Sequence, residues 1–164
     1  MLSGGLSSEQ ILLNYGQTNC RANFVFLAIH TLKPAHEMQK TILLIEDNED
    51  IRENTAELLD LEGYRVITAD NGLEGIRQAQ AKLPDLVICD VLMRETDGYT
   101  VFRTLLEDTS TRDIPFIFVT AKSETADRAI ARAIGNCEYL VKPFDEKELF
   151  DCISRLLSGP ESLR

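Results

Sequence analysis

At 164 residues the chain is sized for one domain whose core needs no disulfide support, and its 44% apolar content is ordinary for a globular protein. Lys and Arg total 17 against 27 Asp and Glu, a net charge of −10 that disfavours direct nucleic-acid binding through phosphate contacts. The longest clean apolar run, Phe24 to Ile29, is too short to span a bilayer, and MLSGGLSSEQ lacks the basic start and apolar stretch of a secretory signal, so a cytoplasmic protein with no membrane partner is expected.

Residues 1–37 hold only Arg21 and Lys33 against Glu9 and Glu37, so the whole net charge falls from Met38 onward. That shift marks a boundary. Ser7 and Gln10 form a capping-box-like start before Ile11, and FVFLAI and Pro34 follow. This segment reads either as an extra helix and strand or, preferred here, as a poorly ordered extension upstream of a start at Met38. His30 and His36 lie in it without matching metal ligands. Cys20, Cys89, Cys137 and Cys152 are too scattered for a zinc or redox motif and read as buried or incidental thiols.

From Thr41 the pattern alternates between short continuous apolar runs and helical spacing, the mark of buried parallel strands joined by crossover helices. The runs predict strands TILLI over 41–45, YRVITA over 64–69, LVIC over 86–89, PFIFV over 115–119 and EYLV over 138–141, mostly buried on both faces. Helices are predicted near 50–61, 72–82, 98–107, 124–134 and 145–157, with Asp50 as the first helix's cap. Leu149, Phe150, Ile153, Leu156 and Leu157 share one face of the last helix. Right-handed crossovers then give an α/β fold with one doubly wound five-stranded parallel sheet spanning 38–158, followed by a short tail over 159–164.

Ligands of such a sheet bind beyond the carboxyl ends of its strands. The polar residues expected at that edge are Glu46 and Asp47 after the first strand, Asp90 after the third, Thr120 after the fourth and Lys142 after the last. Crowded carboxylates repel unless a cation sits among them, and hard oxygen donors without His or Cys suit Mg²⁺. A hydroxyl and an ammonium facing that ion would complete an oxyanion clamp.

Glu46-Asp47, VICDVLM around Asp90, VTA at Thr120 and YLVKPF at Lys142 together resemble the receiver domain of two-component response regulators, over about residues 40–157. Each motif alone is weak, but all four in order at successive strand ends are specific. The resemblance implies a flavodoxin-like strand order of 2-1-3-4-5. It implies Asp90 as the acceptor of a phosphoryl group from a phosphohistidine, with Asp47, Asp90 and the main-chain carbonyl of Leu92 on Mg²⁺ and Glu46 helping directly or through water. Thr120 would donate to the phosphoryl group, and Lys142, behind a cis bond to Pro143, would pair with Asp90 before transfer and with the phosphoryl group after it. Tyr139 would swing inward as Thr120 moves, changing the surface of the helix over 124–134, the last strand and the last helix.

Within that resemblance, Leu92 cannot orient an attacking water and Lys122 is long enough to screen the phosphoryl group, so slow self-hydrolysis is expected. The implied partners are a sensor histidine kinase or histidine phosphotransfer protein, and downstream either a protein target or a second copy of the chain. The protein would be a phospho-acceptor that assists its own modification, not a conventional enzyme. Arg94 stands where the family usually has proline, and Asn136 and Cys137 replace commoner residues of the turn before the last strand.

Plainer readings exist for each residue: EDNED as a solvated charge run, Asp90 as a loop cap, Lys142 as a surface lysine, Tyr139 and Cys89 as core. Three other functions stand beside the receiver. A phosphorylation-independent scaffold would have no need of the acidic site. An aspartyl-nucleophile phosphohydrolase would need an acid where Leu92 stands, and a flavin-binding protein a hydroxyl-rich cradle where Glu46 to Asp50 would repel phosphate.

Overall fold

The computed structural model describes residues 39–121 and 136–158. Five strands, β1 (Thr41–Ile45), β2 (Arg65–Ala69), β3 (Leu86–Asp90), β4 (Phe116–Thr120) and β5 (Cys137–Val141), form one parallel sheet in the order β2-β1-β3-β4-β5. Four helices accompany them among the described residues: α1 (Glu49–Leu61), α2 (Gly72–Lys82), α3 (Gly98–Glu107) and α4 (Glu146–Leu157). The expected doubly wound sheet and its order are therefore present. The predicted helix over 124–134, the segment 1–37 and the tail 159–164 lie outside the described residues.

Successive strand side chains point to opposite faces, and the sheet builds a core on each. One contains Leu43, Ile45, Val87, Cys89, Phe116 and Phe118 with Ala79 of α2 and Val101, Phe102 and Leu105 of α3. The other contains Ile42, Leu44, Ile88, Ile117 and Val119 with Leu59 of α1 and Leu149, Cys152 and Ile153 of α4. Each large side chain buried this way contributes about 1.5–3 kcal/mol of transfer free energy. These two layers hold the strand ends, and hence the site, on a rigid floor.

Burial on both faces holds for the central β3 and β4, buried at every residue, but not for β2 and β5. Those two strands form the sheet's edges, where one flank has no neighbouring strand among the described residues, and most of their residues are exposed or half-buried.

Helix starts follow side-chain capping, with one correction. The cap of α1 is Asn48, not Asp50: its backbone is extended and its side chain accepts from the Ile51 amide at 3.1 Å. Asp50 lies inside the first turn beside Glu49, where its charge complements the helix's positive end. Asn71 and Asp97 cap α2 and α3, and Asp145 forms a reciprocal capping box with Glu148 at α4. Gly63, at φ 92°, supplies the left-handed turn into β2.

Candidate acidic metal centre

Three loops meet at the carboxyl edge of the central strands. β1 ends in Ile45, so Glu46 and Asp47 stand over the edge, and the Glu46 carbonyl is tied down by Arg52 Nη1 at 2.8 Å. β3 ends in Asp90 itself. Its main chain is fixed by the Val91 amide donating to the Val119 carbonyl at 2.8 Å and by the close approach of Gly98. A Cβ on Gly98 would sit 2.6 Å from the Asp90 carbonyl oxygen, so no larger residue fits without movement. Thr120 ends β4, and its carbonyl accepts from the Lys142 amide at 2.8 Å, aligning the lysine one step beyond β5.

Glu46, Asp47 and Asp90 each bring a carboxylate oxygen to within 4.8 Å of the others. Glu46 and Asp90 are buried, whereas the Asp47 side chain is 23% exposed. Lys142 Nζ donates to Glu46 Oε2 at 3.0 Å and to Asp90 Oδ2 at 3.3 Å. Burial acts most strongly on this ammonium and disfavours its charge, but hydrogen bonds and attraction from Glu46 and Asp90 together outweigh it and raise the lysine pKa. The expected pairing of Lys142 with Asp90 is thus present, and the shorter bond to Glu46 adds a tie the sequence did not suggest.

A divalent cation suits this arrangement. Three carboxylates face one half-buried ammonium, which leaves net negative charge between their oxygens, and the donor set is wholly hard oxygen. That combination is the preference of Mg²⁺, which takes carboxylates and keeps several waters.

Thr120 is buried beside the cluster, at the end of β4. Leu92 is 62% exposed, and its amide approaches Asp90 Oδ1 at 3.4 Å. Tyr139 lies midway along β5, its ring stacked on Phe118 with centroids 4.8 Å apart and planes at 18°. The ring already rests against the core of that face. Lys142-Pro143 is cis, as expected, and Lys122 lies outside the described residues. Cys89, buried just before Asp90, has its thiol pKa pushed well up by burial and then by the charge of Asp90, the opposite of what a reactive thiol needs.

In the sequence Arg94 stands out only as a departure from the family pattern. Its Nε lies 3.6 Å from Asp47 Oδ2, so the loop after β3 returns a cation to the acidic cluster. The two residues are 47 positions apart in sequence, and no periodicity links them.

Residues 42–154 match the response regulator receiver domain family. The chain belongs to that family. The receiver is 33% identical over 118 residues to the protein PilH of Pseudomonas aeruginosa, covering 72% of this chain and 98% of that one. It is 32% identical over 124 residues to the alkaline phosphatase synthesis transcriptional regulatory protein PhoP of Bacillus subtilis, covering 76% of this chain and 51% of that one. The chain spans about half the length of the transcriptional regulators that it matches here.

Among solved structures the receiver resembles the chemotaxis protein CheY4 of Vibrio cholerae with a TM-score of 0.68 and 27% identity, over 73% of this chain and all (100%) of that one. It also resembles the receiver domain of a Pseudomonas aeruginosa sensor histidine kinase, at a TM-score of 0.66 and 30% identity, over 74% of this chain and 100% of that one. That structure has a magnesium ion coordinated in its active-site cleft. No helix among the described residues is long and apolar enough to cross a membrane.

Proposed function

We propose that this receiver, spanning 38–158, accepts a phosphoryl group on Asp90 from a phosphohistidine of a sensor histidine kinase or phosphotransfer protein. The observation carrying this reading is the Lys142 ammonium set against Glu46 and Asp90 inside a cluster of three carboxylates. In the transfer, the phosphorus–nitrogen bond of the donor breaks as a phosphorus–oxygen bond to an Asp90 carboxylate oxygen forms. Asp90 is held for this by a backbone that Val119 and Gly98 keep fixed, so little orientation remains to be lost at reaction.

Mg²⁺, held by Asp47, Asp90 and the Leu92 carbonyl, would supply charge neutralisation for the incoming phosphoryl oxygens. Glu46 seats Lys142 and would help hold the ion directly or through water. Lys142 exchanges its Asp90 contact for a phosphoryl oxygen, and the Thr120 hydroxyl donates to another. The pull on Thr120 is relayed to Tyr139, changing the surface of β5, α4 and the helix expected from the sequence over 124–134. That face then engages a protein target or a second copy of the chain, in the cytoplasm. Leu92, which cannot orient an attacking water, and Lys122, long enough to screen the phosphoryl group, together set a long phosphoryl lifetime.

Incubation with Mg²⁺ and acetyl phosphate or a phosphorylated kinase, read by intact mass, tests the reading. Gain of one phosphoryl group that requires Mg²⁺ and is absent from Asp90→Asn supports it. No gain in the unaltered chain with either donor favours the phosphorylation-independent scaffold.

A further inference from the structure

Arg94 stands at the mouth of the acidic centre with its side chain 89% exposed and its Nε 3.6 Å from Asp47 Oδ2. Lys142 covers Glu46 and Asp90 from the buried side. Every carboxylate of the cluster therefore has a cationic partner before any metal arrives. The two cations differ in how firmly they are held: Lys142 is 25% exposed and hydrogen-bonded twice, whereas Arg94 makes one long contact. At that distance a single nitrogen makes an ion pair without the two-pronged fork that gives arginine–carboxylate pairs their strength.

We infer that Arg94 is a tethered counter-cation that competes with Mg²⁺ for Asp47 and sets the metal affinity of the site. The inference rests on the metal reading given above. A divalent ion held by Asp47 would share the carboxylate that the guanidinium pairs with, so repulsion between the two cations disfavours their binding together and drives Arg94 aside. Its exposure makes that movement easy. The groove beside it carries the alternative acidic partners Glu49, Asp70 and Glu95, which let the displaced guanidinium leave Asp47 without losing all attraction. Arg94 is thus a positioning residue for the metal, acting through Asp47, and its position after Met93 gives the loop a charge where proline would supply none.

The test is a titration of the full chain with MgCl₂ at low ionic strength, followed by amide NMR shifts of residues around Asp47 and Asp90, with no phosphoryl donor present. Arg94→Gln is expected to bind Mg²⁺ about two- to fivefold more tightly than the unaltered chain, the range an exposed ion pair supports. Arg94→Lys should stay close to the unaltered chain. Arg77→Gln, which removes an exposed cation paired with Glu74 instead, should change nothing. The gain in Arg94→Gln should shrink as NaCl is raised, because the competing pair is screened.

Equal affinity in Arg94→Gln and the unaltered chain, or an equal gain in Arg77→Gln, would overturn the inference while leaving the metal reading intact. If the unaltered chain and Arg94→Gln both fail to bind Mg²⁺, the metal reading itself is wrong and the inference falls with it.

Discussion

Glu46 and Lys142, 96 residues apart in sequence, meet at 3.0 Å at the carboxyl edge of the sheet. Glu46 is 4% exposed, so its charge has little water to turn to if the ammonium is lost. Lys142→Met is therefore expected to destabilise the metal-free protein by about 1–3 kcal/mol, the range for losing a partner of a buried charged group. Chemical denaturation with and without MgCl₂ checks this. Part of the loss should return with the metal, which neutralises the same carboxylates.

Gly98 is expected to be intolerant of even a methyl group. Its added Cβ would meet the Asp90 carbonyl oxygen at 2.6 Å and the Val91 Cα at 3.0 Å, both backbone atoms that cannot turn aside. Gly98→Ala should cost about 1–3 kcal/mol as overpacking and should weaken Mg²⁺ binding by displacing Asp90. Gly75→Ala is the informative comparison, because there the nearest atom is the end of the Ile45 side chain. It should lose stability without losing metal affinity. Denaturation midpoints paired with MgCl₂ titrations separate the two effects.

Asp85 should give the protein part of its resistance to acid. Burial would raise its pKa, but the hydrogen bond from Lys40, the Thr41 amide and the lysine's charge together bring it below the usual carboxylate value. A depressed folded-state pKa contributes stability that is fully present above the unfolded value of about 3.9 and is lost as pH falls through the lower folded value. Asp85→Asn is therefore expected to lower the melting temperature at pH 7, with the difference closing as pH drops below about 4. Thermal unfolding across pH 2.5–7 in both proteins, at about 0.15 M salt, measures it.

Much of the architecture was legible because buried strands and amphipathic helices carry different periods, and the central strands read as continuous apolar runs. Asp90, Thr120 and Lys142 were legible for a related reason: each is a polar residue that ends or follows such a run, and a parallel sheet brings those ends to one edge. What could not be read depends on geometry between loops. In Glu46-Asp47-Asn48-Glu49-Asp50 every side chain offers an oxygen, and only the extended backbone at Asn48 decides which one caps α1. The Arg94 contact with Asp47 joins two loops that share no pattern. The half-exposure of β2 and β5 follows from their place at the sheet's edges, which composition alone does not reveal.

The most direct test of the central claim locates the phosphoryl group. After Mg²⁺-dependent phosphorylation, borohydride reduction converts an acyl phosphate to an alcohol that survives digestion, and peptide mass spectrometry then identifies the residue. A single reduced site at Asp90, absent when Mg²⁺ is withheld, is the expected result. A reduced site at Glu46 or Asp47, or phosphate retained on a serine or threonine with Asp90 untouched, would contradict it.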